Sequence, residues 1–350
     1  MNALSAPVVD VPVGPGVARA AEVVPEGHYT HHEERGVTVH RTNPVFVHRD
    51  LSSLAPGEGM RVLEIGTGSG YSGALLAELV GPSGRVVSLD IDPFLTRWAN
   101  FIHRRRGVVN VRCHAVDGVA GYPAGGPYDR IGAWCAPPLL PKAWVDQAGE
   151  GCRIVATLPI ARVPEVTVLA VLVVTDGRPT VEAVMGGNYI DATAAPKVDL
   201  EAPGRWVDWE TRVSGHRWVS VAWRERDDWH HSGARATLER LAEPGYVESA
   251  GEVPWKPVQY WAAATGDEGL TVARLDAGMV FGHSTSGSAA AFTQDGRIIA
   301  DAPDSPSLAV VRGWIEGWRA AGCPSRGDYR PVLVPAEGPD GTGWDLRLTR

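Results

Sequence analysis

A glycine-rich run and the acidic residues around it carry the clearest chemical potential of this 350-residue sequence. The run reads Glu64-Ile65-Gly66-Thr67-Gly68-Ser69-Gly70-Tyr71, and Asp90 follows 20 residues after its last glycine. Glycines between a strand and a helix let the backbone approach a ligand closely and expose the helix N-terminus. An acid at the end of the next strand can accept hydrogen bonds from both hydroxyls of a ribose. The spacing therefore predicts a cofactor site, and it also suits dinucleotide-binding enzymes.

Three further details distinguish between these cofactors. Glu64 precedes the glycines, the glycines follow a G-x-G-x-G pattern rather than the G-x-G-x-x-G of nicotinamide binders, and Asp117-Gly118 follows the third predicted strand. In class I methyltransferases the first acid supports the loop and the methionine ammonium, and the last lies against the adenine amine. We therefore favour S-adenosyl-L-methionine, with a nicotinamide enzyme and a degenerate structural sheet as alternatives. The predicted cofactor-binding residues are Glu64, Gly66, Thr67, Gly68, Ser69, Gly70, Tyr71, Asp90, Ile91, Asp117 and Gly118.

The elements that must position these residues alternate in the manner of parallel βα units. The apolar and amphipathic runs predict strands at 61–65, 85–90, 109–113, 128–135 and 151–158, and helices at 71–80, 93–106 and 141–147. Two further runs, 166–174 and 180–185, predict a hairpin that closes the sheet. The sequence therefore predicts an α/β fold with a Rossmann-like, doubly wound and mostly parallel sheet, as in class I methyltransferases.

The regular alternation is lost in the second half of the chain. Ten of the 13 tryptophans lie beyond residue 200, after a proline-containing linker predicted at 196–203. There we predict a helix near 232–241, short strands between 258 and 299, and a helix near 305–321 with apolar residues recurring on one side. The predicted organisation is a loose, partly disordered leader (1–35), a methyltransferase domain (36–200) and a Trp-rich α+β substrate-recognition module (201–350).

Composition excludes several classes of protein. A net charge of −8 argues against a nucleic-acid binder, which usually presents a basic face. No apolar run reaches the ~18 residues of a membrane span, and the N-terminal residues lack the features of a signal peptide. The cysteines do not have metal-ligand spacing, so we predict buried, reduced thiols, no metal site and a cytoplasmic enzyme. They are Cys113, Cys135, Cys152 and Cys323.

Residues 61–159 resemble the protein-L-isoaspartate O-methyltransferases. The resemblance rests on Val62-Leu63-Glu64-Ile65-Gly66-Thr67-Gly68-Ser69-Gly70-Tyr71, Val87-Ser88-Leu89-Asp90, Asn110-Val111, Asp117-Gly118, Gly121-Tyr122-Pro123, Pro127-Tyr128-Asp129-Arg130-Ile131, Leu140-Pro141, Asp146-Gln147 and Gly151. The first of these strings is quite specific to the family among methyltransferases. The resemblance leaves residues 201–350 outside, and it implies that the methyl acceptor is an aspartyl or isoaspartyl carboxylate of a peptide or protein.

The resemblance also points to residues beside the acceptor. Family members carry a Ser-x-Pro upstream of the first strand, with its hydroxyl between the cofactor and the substrate carboxylate. This sequence instead has Thr42-Asn43-Pro44, closer to the first strand than expected. Thr42 keeps a hydroxyl and is the predicted catalytic residue, although Thr-Asn-Pro is also a common helix start. His40, Arg41 and His48 are further candidate donors to the substrate, or ordinary surface and packing residues.

The chemistry that the resemblance implies needs no general base, because a side-chain carboxylate has a pKa of about 4 and is ionised at neutral pH. The cofactor supplies an activated methyl group, so the protein mainly positions an oxygen in line with it and excludes water. In the resulting ester, the following backbone nitrogen attacks the carbonyl carbon and methanol leaves. The succinimide (aspartimide) that forms opens to aspartate or isoaspartate.

The substrate prediction depends on the altered Thr42 element and on the C-terminal module. Together they favour methylation of an Asp in a ribosomally synthesised, modified peptide, with the module's aromatic residues as anchors. General isoaspartyl repair, methylation of a small molecule and a non-catalytic cofactor-binding scaffold are the alternatives. The other interpretation of the tryptophans is that they fill a core. The polar run 282–288, which contains His283, predicts a loop rather than a catalytic Ser/His pair, because the sequence offers no evident third partner.

Overall fold

The computed structural model describes residues 12–32, 36–38, 40–196, 203, 207–210, 216–224, 234–338 and 341–350. They fall into two compact units. The first unit contains the described residues up to Ala136, Pro141–Thr157 and Leu169–Pro196; the second contains Pro137–Leu140, Leu158–Val168 and the described residues after Pro196. The two units are therefore discontinuous in sequence, since two short segments well before residue 200 belong to the second unit.

The elements up to residue 196 alternate between helices and strands. The helices are α1 (Pro15–Val23), α2 (Gly27–Thr30), α3 (Pro44–Leu54), α4 (Tyr71–Val80), α5 (Pro93–Arg105) and α6 (Lys142–Asp146). The strands are β1 (His31–His32), β2 (Gly36–Val37), β3 (Arg61–Ile65), β4 (Arg85–Asp90), β5 (Val111–Ala115), β6 (Tyr128–Ala133), β7 (Leu140–Pro141), β8 (Ala148–Pro159), β9 (Thr167–Thr175) and β10 (Arg178–Met185).

One seven-stranded sheet organises the first unit, in the order β10-β9-β8-β6-β3-β4-β5. Strand β3 pairs in parallel with both β4 and β6, β4 with β5, and β6 with β8. Strands β9 and β10 form the predicted antiparallel hairpin. Because the chain continues to β4 on one side of β3 and later returns to β6 on the other, the strand order reverses at β3. Ligand sites of such sheets lie beyond the carboxyl ends of the strands at this point. The structure thus has the class I methyltransferase fold predicted from the sequence.

Helix α5 shows how local sequence sets an element beside the switch point. Its N-cap, Asp92, accepts a hydrogen bond from the backbone N–H of Phe94 (2.7 Å), and Pro93 occupies the first turn. Leu95, Ala99 and Ile102 recur at helical spacing and are buried. The opposite face of the helix is therefore left to solvent.

The prediction of a loose leader is wrong for its described part. Helix α1 buries Val17 (4% exposed) and Ala20 (2%), which belong to the same apolar cluster as Leu51 of α3 and Leu75 of α4. The leader was misjudged because the short run 15–23 buries only one face, and its partners lie far along the sequence. Residues 1–11 and 33–35 lie outside the described residues.

The second unit is built on antiparallel strands. Its elements are β11 (Asp208–Trp209), β12 (Trp218–Val221), α7 (Arg235–Ala242), β13 (Tyr246–Ser249), α8 (Trp255–Thr265), β14 (Leu270–Leu275), β15 (Gly278–Ser284), β16 (Ala289–Thr293), β17 (Arg297–Ala300), α9 (Pro306–Ala320), β18 (Arg330–Gly338) and β19 (Gly341–Thr349). One sheet has the order β11-β12-β14-β15-β16-β17-β13, and another has the order β18-β19-β7. The predicted α+β architecture is therefore present.

Two local predictions for the second unit need correction or qualification. Residue Val258, where short strands were expected to begin, lies in helix α8 and is fully buried. The helix was missed because it is apolar on most sides and lacks a clear stripe. The last helix is confirmed as α9, with Val311, Trp314, Ile315 and Trp318 buried on one side, while Val310 is only half-buried. The predicted helix 232–241 is seen as α7, and residues 232, 233 and 197–202 of the predicted helix and linker are outside the described part.

The cysteines only partly follow the prediction of buried thiols. Cys113 and Cys152 are buried, whereas Cys323 is exposed after the end of α9. Cys135 is half-buried and lies beyond the end of β6, which stops at Ala133 rather than at 135 as predicted. Several tryptophans fill the core of the second unit, in agreement with the simpler of the two interpretations; these are Trp218, Trp261, Trp314 and Trp318.

Candidate functional site

The glycine run forms the turn between β3 and α4. Gly68 and Gly70 have φ angles of +50° and +85°, in the region that favours glycine. A Cβ atom at Gly70 would lie 2.8 Å from the Cβ of Ala99, so a larger residue would not fit there. The turn is joined to the neighbouring strand because the N–H of Gly66 donates to the carbonyl oxygen of Leu89 (2.7 Å). The N-terminus of α4 is thereby held beside the end of β4.

Asp90, the last residue of β4, faces this turn. Its Oδ2 accepts a hydrogen bond from the N–H of Gly68 and its Oδ1 accepts one from the N–H of Asp92, both at 3.0 Å. Burial raises the pKa of Asp90, and these two backbone donors oppose that rise. Each carboxylate oxygen can still accept a second hydrogen bond, because a carboxylate offers about four acceptor positions. The geometry suits an acceptor for two ligand hydroxyls.

Asp117 and Gly118 follow the adjacent strand, β5. Asp117 is exposed, and its Oδ1 accepts a hydrogen bond from the N–H of Val119 (2.9 Å). A Cβ atom at Gly118 would lie 2.4 Å from Cγ2 of Ile65, so the backbone here passes directly against the end of β3. The carboxyl ends of β3, β4 and β5 therefore bring the glycine turn, Asp90 and Asp117 to one edge of the sheet.

The other predicted cofactor residues take different positions. Thr67 and Ser69 are buried: the Thr67 hydroxyl pairs with that of Ser88 (2.6 Å), and the Ser69 hydroxyl accepts from the N–H of Tyr71 (3.3 Å). Their hydroxyls therefore stabilise the turn itself. Ile91, directly after Asp90, is half-buried. The ligand roles assigned to these residues stay predictions.

Glu64 is fully buried beneath the turn. Its Oε2 accepts a hydrogen bond from the hydroxyl of Ser88 (2.6 Å), and its Oε1 accepts one from Nε1 of Trp134 (2.9 Å). Burial raises the pKa of Glu64, while hydrogen bonds from Ser72, Ser88 and Trp134 lower it. This arrangement is that of a carboxylate that holds the loop. Its predicted contact with a methionine ammonium stays a prediction.

The segment that precedes α3 adjoins the glycine turn. The carbonyl oxygen of His40 lies 3.2 Å from the position of a Cβ atom at Gly68. Thr42 is half-buried and forms no hydrogen bond with any residue that the structure describes. Asn43 caps α3 by accepting a hydrogen bond from the N–H of Val45 (3.0 Å), so the Asn-Pro pair does begin a helix. The catalytic role of Thr42 stays a prediction.

Arg41 and His48 differ in their surroundings. The guanidinium of Arg41 is exposed and lies 3.7 Å from the carboxylate of Glu26. Nε2 of His48 lies 2.9 Å from the hydroxyl of Tyr71, the first residue of α4, and burial lowers the pKa of His48. His48 thus connects α3 to the start of α4. This contact gives His48 a packing role. Arg41 lies near Glu26 only and contacts none of the described side chains of the candidate site.

A buried polar chain that the sequence analysis did not identify supports the same region. Nε of Arg49 donates to Asp50 (2.6 Å), and the hydroxyl of Tyr189 donates to the other oxygen of the same carboxylate (2.7 Å). The ring of Tyr189 lies 6.0 Å from that of Trp134, which holds Glu64. These contacts fix α3 relative to the end of β6. Only the position of Trp134, at the end of a strand beside the switch point, signalled such a role in the sequence.

His283 of the second unit has partners that its sequence neighbourhood did not reveal. Its Nδ1 lies 3.0 Å from the hydroxyl of Ser307, its Nε2 lies 3.5 Å from Oδ1 of Asp267, and Ser307 pairs with Ser288 (2.6 Å). Ser307 is fully buried and Ser288 is 4% exposed, so neither hydroxyl is open to a substrate. The arrangement is a polar network with buried serines, and the Asp267 side chain at its rim is 25% exposed.

The described residues contain neither a candidate metal cluster nor a candidate membrane-spanning helix. No group of three or more His, Cys, Asp or Glu side chains in the part of the chain described above has the geometry of a metal site. In the same residues, no helix is both long and apolar enough to cross a membrane.

The fold and the position of the site agree with the comparison to known families. Residues 29–196 match the model of the family "Protein-L-isoaspartate(D-aspartate) O-methyltransferase (PCMT)". The matched region coincides with the first unit from Tyr29 onward, apart from the two short segments that belong to the second unit.

Individual relatives match part of the chain. The protein-L-isoaspartate O-methyltransferase of Aeropyrum pernix is 39% identical over 167 residues, which are 47% of this chain and 59% of the relative. That of Methanoculleus marisnigri is 46% identical over 96 residues, 27% of this chain and 42% of the relative. The chain therefore spans between about two fifths and three fifths of the length of these two curated relatives.

Solved structures with similar folds include a protein-L-isoaspartate O-methyltransferase from Plasmodium falciparum in complex with S-adenosyl-L-homocysteine. The match covers 52% of this chain and 91% of that chain, with 16% identity and a TM-score of 0.45. Another structure of a protein-L-isoaspartate O-methyltransferase is matched over 95% of both chains, with 17% identity and a TM-score of 0.48.

Proposed function

We propose that the chain transfers the methyl group of S-adenosyl-L-methionine to the side-chain carboxylate of an L-isoaspartyl residue in a protein or peptide. The observation that carries this proposal is the convergence of the glycine turn, Asp90 and Asp117 at the switch point of a domain that matches the PCMT family model. The names and bound ligand of the related proteins support the same reaction and cofactor.

The residues at this edge of the sheet fit the proposed cofactor. Gly68 and Gly70 of the turn carry no side chains themselves, and the N-terminal amides of α4 lie beside the turn. Asp90 would accept hydrogen bonds from the ribose hydroxyls, and Asp117 would accept one from the adenine amine. When bound, the cofactor would supply a methyl group activated by a sulfonium.

The chain's own part in the reaction is to bind, orient and exclude water. The acceptor carboxylate is ionised at neutral pH, so the site requires no general base. The Thr42 hydroxyl has no partner among the described residues, which leaves it available as a donor to the substrate. His40 and Arg41 are neighbouring candidates, while His48 would act by holding α3 against Tyr71. A donor that fixes one carboxylate oxygen would align the other with the methyl group.

A narrower proposal concerns the substrate. Thr42 in place of the family's serine and the presence of the second unit support a dedicated substrate, an Asp in a ribosomally synthesised, modified peptide, with aspartimide or isoaspartate as the product. The buried tryptophans of the second unit count against a role for those residues as exposed anchors. General repair of isoaspartyl residues is the other candidate, and the identity of the relatives favours it. We place either reaction in the cytoplasm, as proposed from the cysteine usage.

One experiment separates these proposals. Two synthetic peptides of identical sequence, one with L-isoaspartate and one with L-aspartate before glycine, are incubated with the protein and S-adenosyl-L-methionine and followed by mass spectrometry. The ester adds about 14 Da, and the succinimide shows a net loss of about 18 Da. Preference for isoaspartate supports repair, and preference for aspartate in a constrained peptide supports tailoring.

The same experiment also tests whether the protein binds the cofactor without catalysing a reaction. Calorimetric binding of S-adenosyl-L-methionine without methylation of either peptide would favour the scaffold. If the protein bound no S-adenosyl-L-methionine, every methyltransferase proposal would be wrong. Asp90→Ala serves as the matched negative control, because it removes the predicted ribose acceptor.

A further inference from the structure

A cationic surface lies on helix α5 and strand β5 of the first unit. The segment 93–116 contains five arginines and no aspartate or glutamate, in a chain of net charge −8. All five arginines are exposed. We call this set, together with the aromatic residues described next, the arginine-aromatic surface; its arginines are Arg97, Arg104, Arg105, Arg106 and Arg112.

Aromatic residues run along one side of α5, with two exposed phenylalanines and between them Trp98, which is half-buried and packs against the core. Phe94, Trp98 and Phe101 are spaced at i, i+4 and i+7, and successive ring centroids lie 6.5 Å and 5.6 Å apart. Phe94 is 45% exposed and Phe101 is 43% exposed. The guanidinium of Arg105 lies 5.6 Å from the ring centroid of Phe101, which extends the row by one more turn. The helix thus presents large apolar rings flanked by positive charge.

The arginines of this surface are not neutralised by described carboxylates. None of the five arginines forms an ion pair with a described carboxylate, and the one internal contact of Arg104 is to the carbonyl oxygen of Asn100. Cations at the end of a helix stabilise its dipole, which accounts for Arg104 and Arg105. That effect does not account for Arg97 or for Arg112 on β5.

The position of the surface relates it to the candidate site. Helix α5 starts three residues after Asp90, at the edge of the sheet where the cofactor residues meet. From Phe94 to Arg105 the helix rises by about 16 Å, at 1.5 Å per residue. An extended peptide spans that distance with about five residues. Because β5 is the last strand of its sheet, no strand of that sheet lies beyond it.

We propose that the arginine-aromatic surface binds an acidic segment of the peptide or protein substrate, outside the methylated residue. This inference rests on the proposed function and adds a substrate preference to it. Charge complementarity favours an acidic peptide, and exposed aromatic rings beside arginines suit apolar side chains interspersed among the acids. A nucleic acid is disfavoured, because the net charge of −8 repels a long phosphate backbone.

The test measures binding separately from methylation. The probes are short fluorescein-labelled isoaspartyl peptides that carry a run of glutamates on either side of the isoaspartate, or serines in their place. Fluorescence anisotropy gives their affinity for the full chain. We expect the glutamate peptide to bind about tenfold more tightly than the serine peptide at low salt, with the difference shrinking as salt rises.

Charge reversal tests whether Arg104 and Arg105 cause the preference for the glutamate peptide. Arg104→Glu/Arg105→Glu should remove the tenfold preference, and Arg104→Lys/Arg105→Lys should keep most of it. The matched control is Arg19→Glu/Arg178→Glu, which reverses two exposed arginines on α1 and on the opposite edge strand β10. The control should keep the preference, since it changes net charge equally.

The outcomes separate this inference from the proposed function. If Arg104→Glu/Arg105→Glu binds the glutamate peptide as the wild type does, or if the control loses the preference equally, the surface is not the acidic-peptide site. Arginine-dependent binding of a labelled single-stranded oligonucleotide in preference to the peptide would also overturn it. If the preference depends on the arginines but neither peptide is methylated, the surface stands and the proposed reaction fails.

Discussion

Each unit of the molecule contains a network of carboxylate, hydroxyl and aromatic or imidazole groups, and the two networks differ in what they support. In the first unit, the fully buried Glu64 is joined through Ser88 to Thr67 of the glycine turn. In the second, His283 and Ser307 are buried, and the Asp267 side chain beside them is 25% exposed. Similar residue types therefore support a candidate ligand-binding turn in one case and core packing in the other.

The largest expected effect comes from removing the carboxylate under the turn. Glu64→Ala leaves the Ser88 hydroxyl and Trp134 Nε1 without their acceptor in a fully buried site. We expect the free energy of unfolding to fall by about 3 kcal/mol, because buried donors would lose their partners. Urea denaturation measures this change, with Glu64→Gln as the near-isosteric control. A loss under about 1 kcal/mol would mean that the network does not hold the turn.

Asp90→Ala tests the proposed contacts between Asp90 and the cofactor ribose. Two charged hydrogen bonds to ribose hydroxyls contribute about 1.5 kcal/mol each, so affinity for S-adenosyl-L-methionine should fall about hundredfold. Isothermal titration calorimetry measures the change. Asp267→Ala in the second unit is the comparison variant and should leave cofactor affinity unaltered. Equal affinities for wild type and Asp90→Ala would remove Asp90 from the cofactor site.

Thr42→Val sharpens the assignment of the segment before α3. The substitution keeps the shape and removes the hydroxyl that is available to a substrate carboxylate. We expect kcat/KM for the methylated peptide to fall about tenfold, the equivalent of one hydrogen bond, with cofactor affinity unchanged. Thr42→Ser should retain activity. Full activity of Thr42→Val would mean that the Thr42-Asn43-Pro44 element serves only to start helix α3.

The smallest effect concerns Asp267 and His283 of the second unit, and it appears in the pH dependence of the free energy of unfolding. The hydrogen-bonding contact with His283 lowers the pKa of Asp267 below that of an unfolded aspartate, which is about 3.9. The stability that this charge provides is therefore present above about pH 4 and lost as pH falls through the lowered pKa. Asp267→Asn should flatten the acid side of the stability curve, measured by urea unfolding at several pH values. The exposed Asp304→Asn is the control and should not flatten it.

The sequence alone was sufficient for the central strands and the glycine turn. Strands β3 and β4 and helix α4 begin and end at the predicted residues, because short apolar runs bounded by Gly66, Gly70 and Gly81 leave few alternatives. Asp90 and Asp117 could be placed from the same pattern, since residues that follow parallel strands collect at one edge. The family could be named from this region for the same reason.

Tertiary structure decided the rest, because the deciding contacts join residues far apart in sequence. Helix α1 is ordered by burial of Val17 and Ala20 against α3 and α4, and helix α8 is buried on most sides, so neither shows a pattern of its own. The pairing of Asp50 with Tyr189 and of Trp134 with Glu64 spans 139 and 70 residues. Sequence periodicity determined which residues face a core, and only the folded chain determined which buried polar groups meet and which of them support the glycine turn.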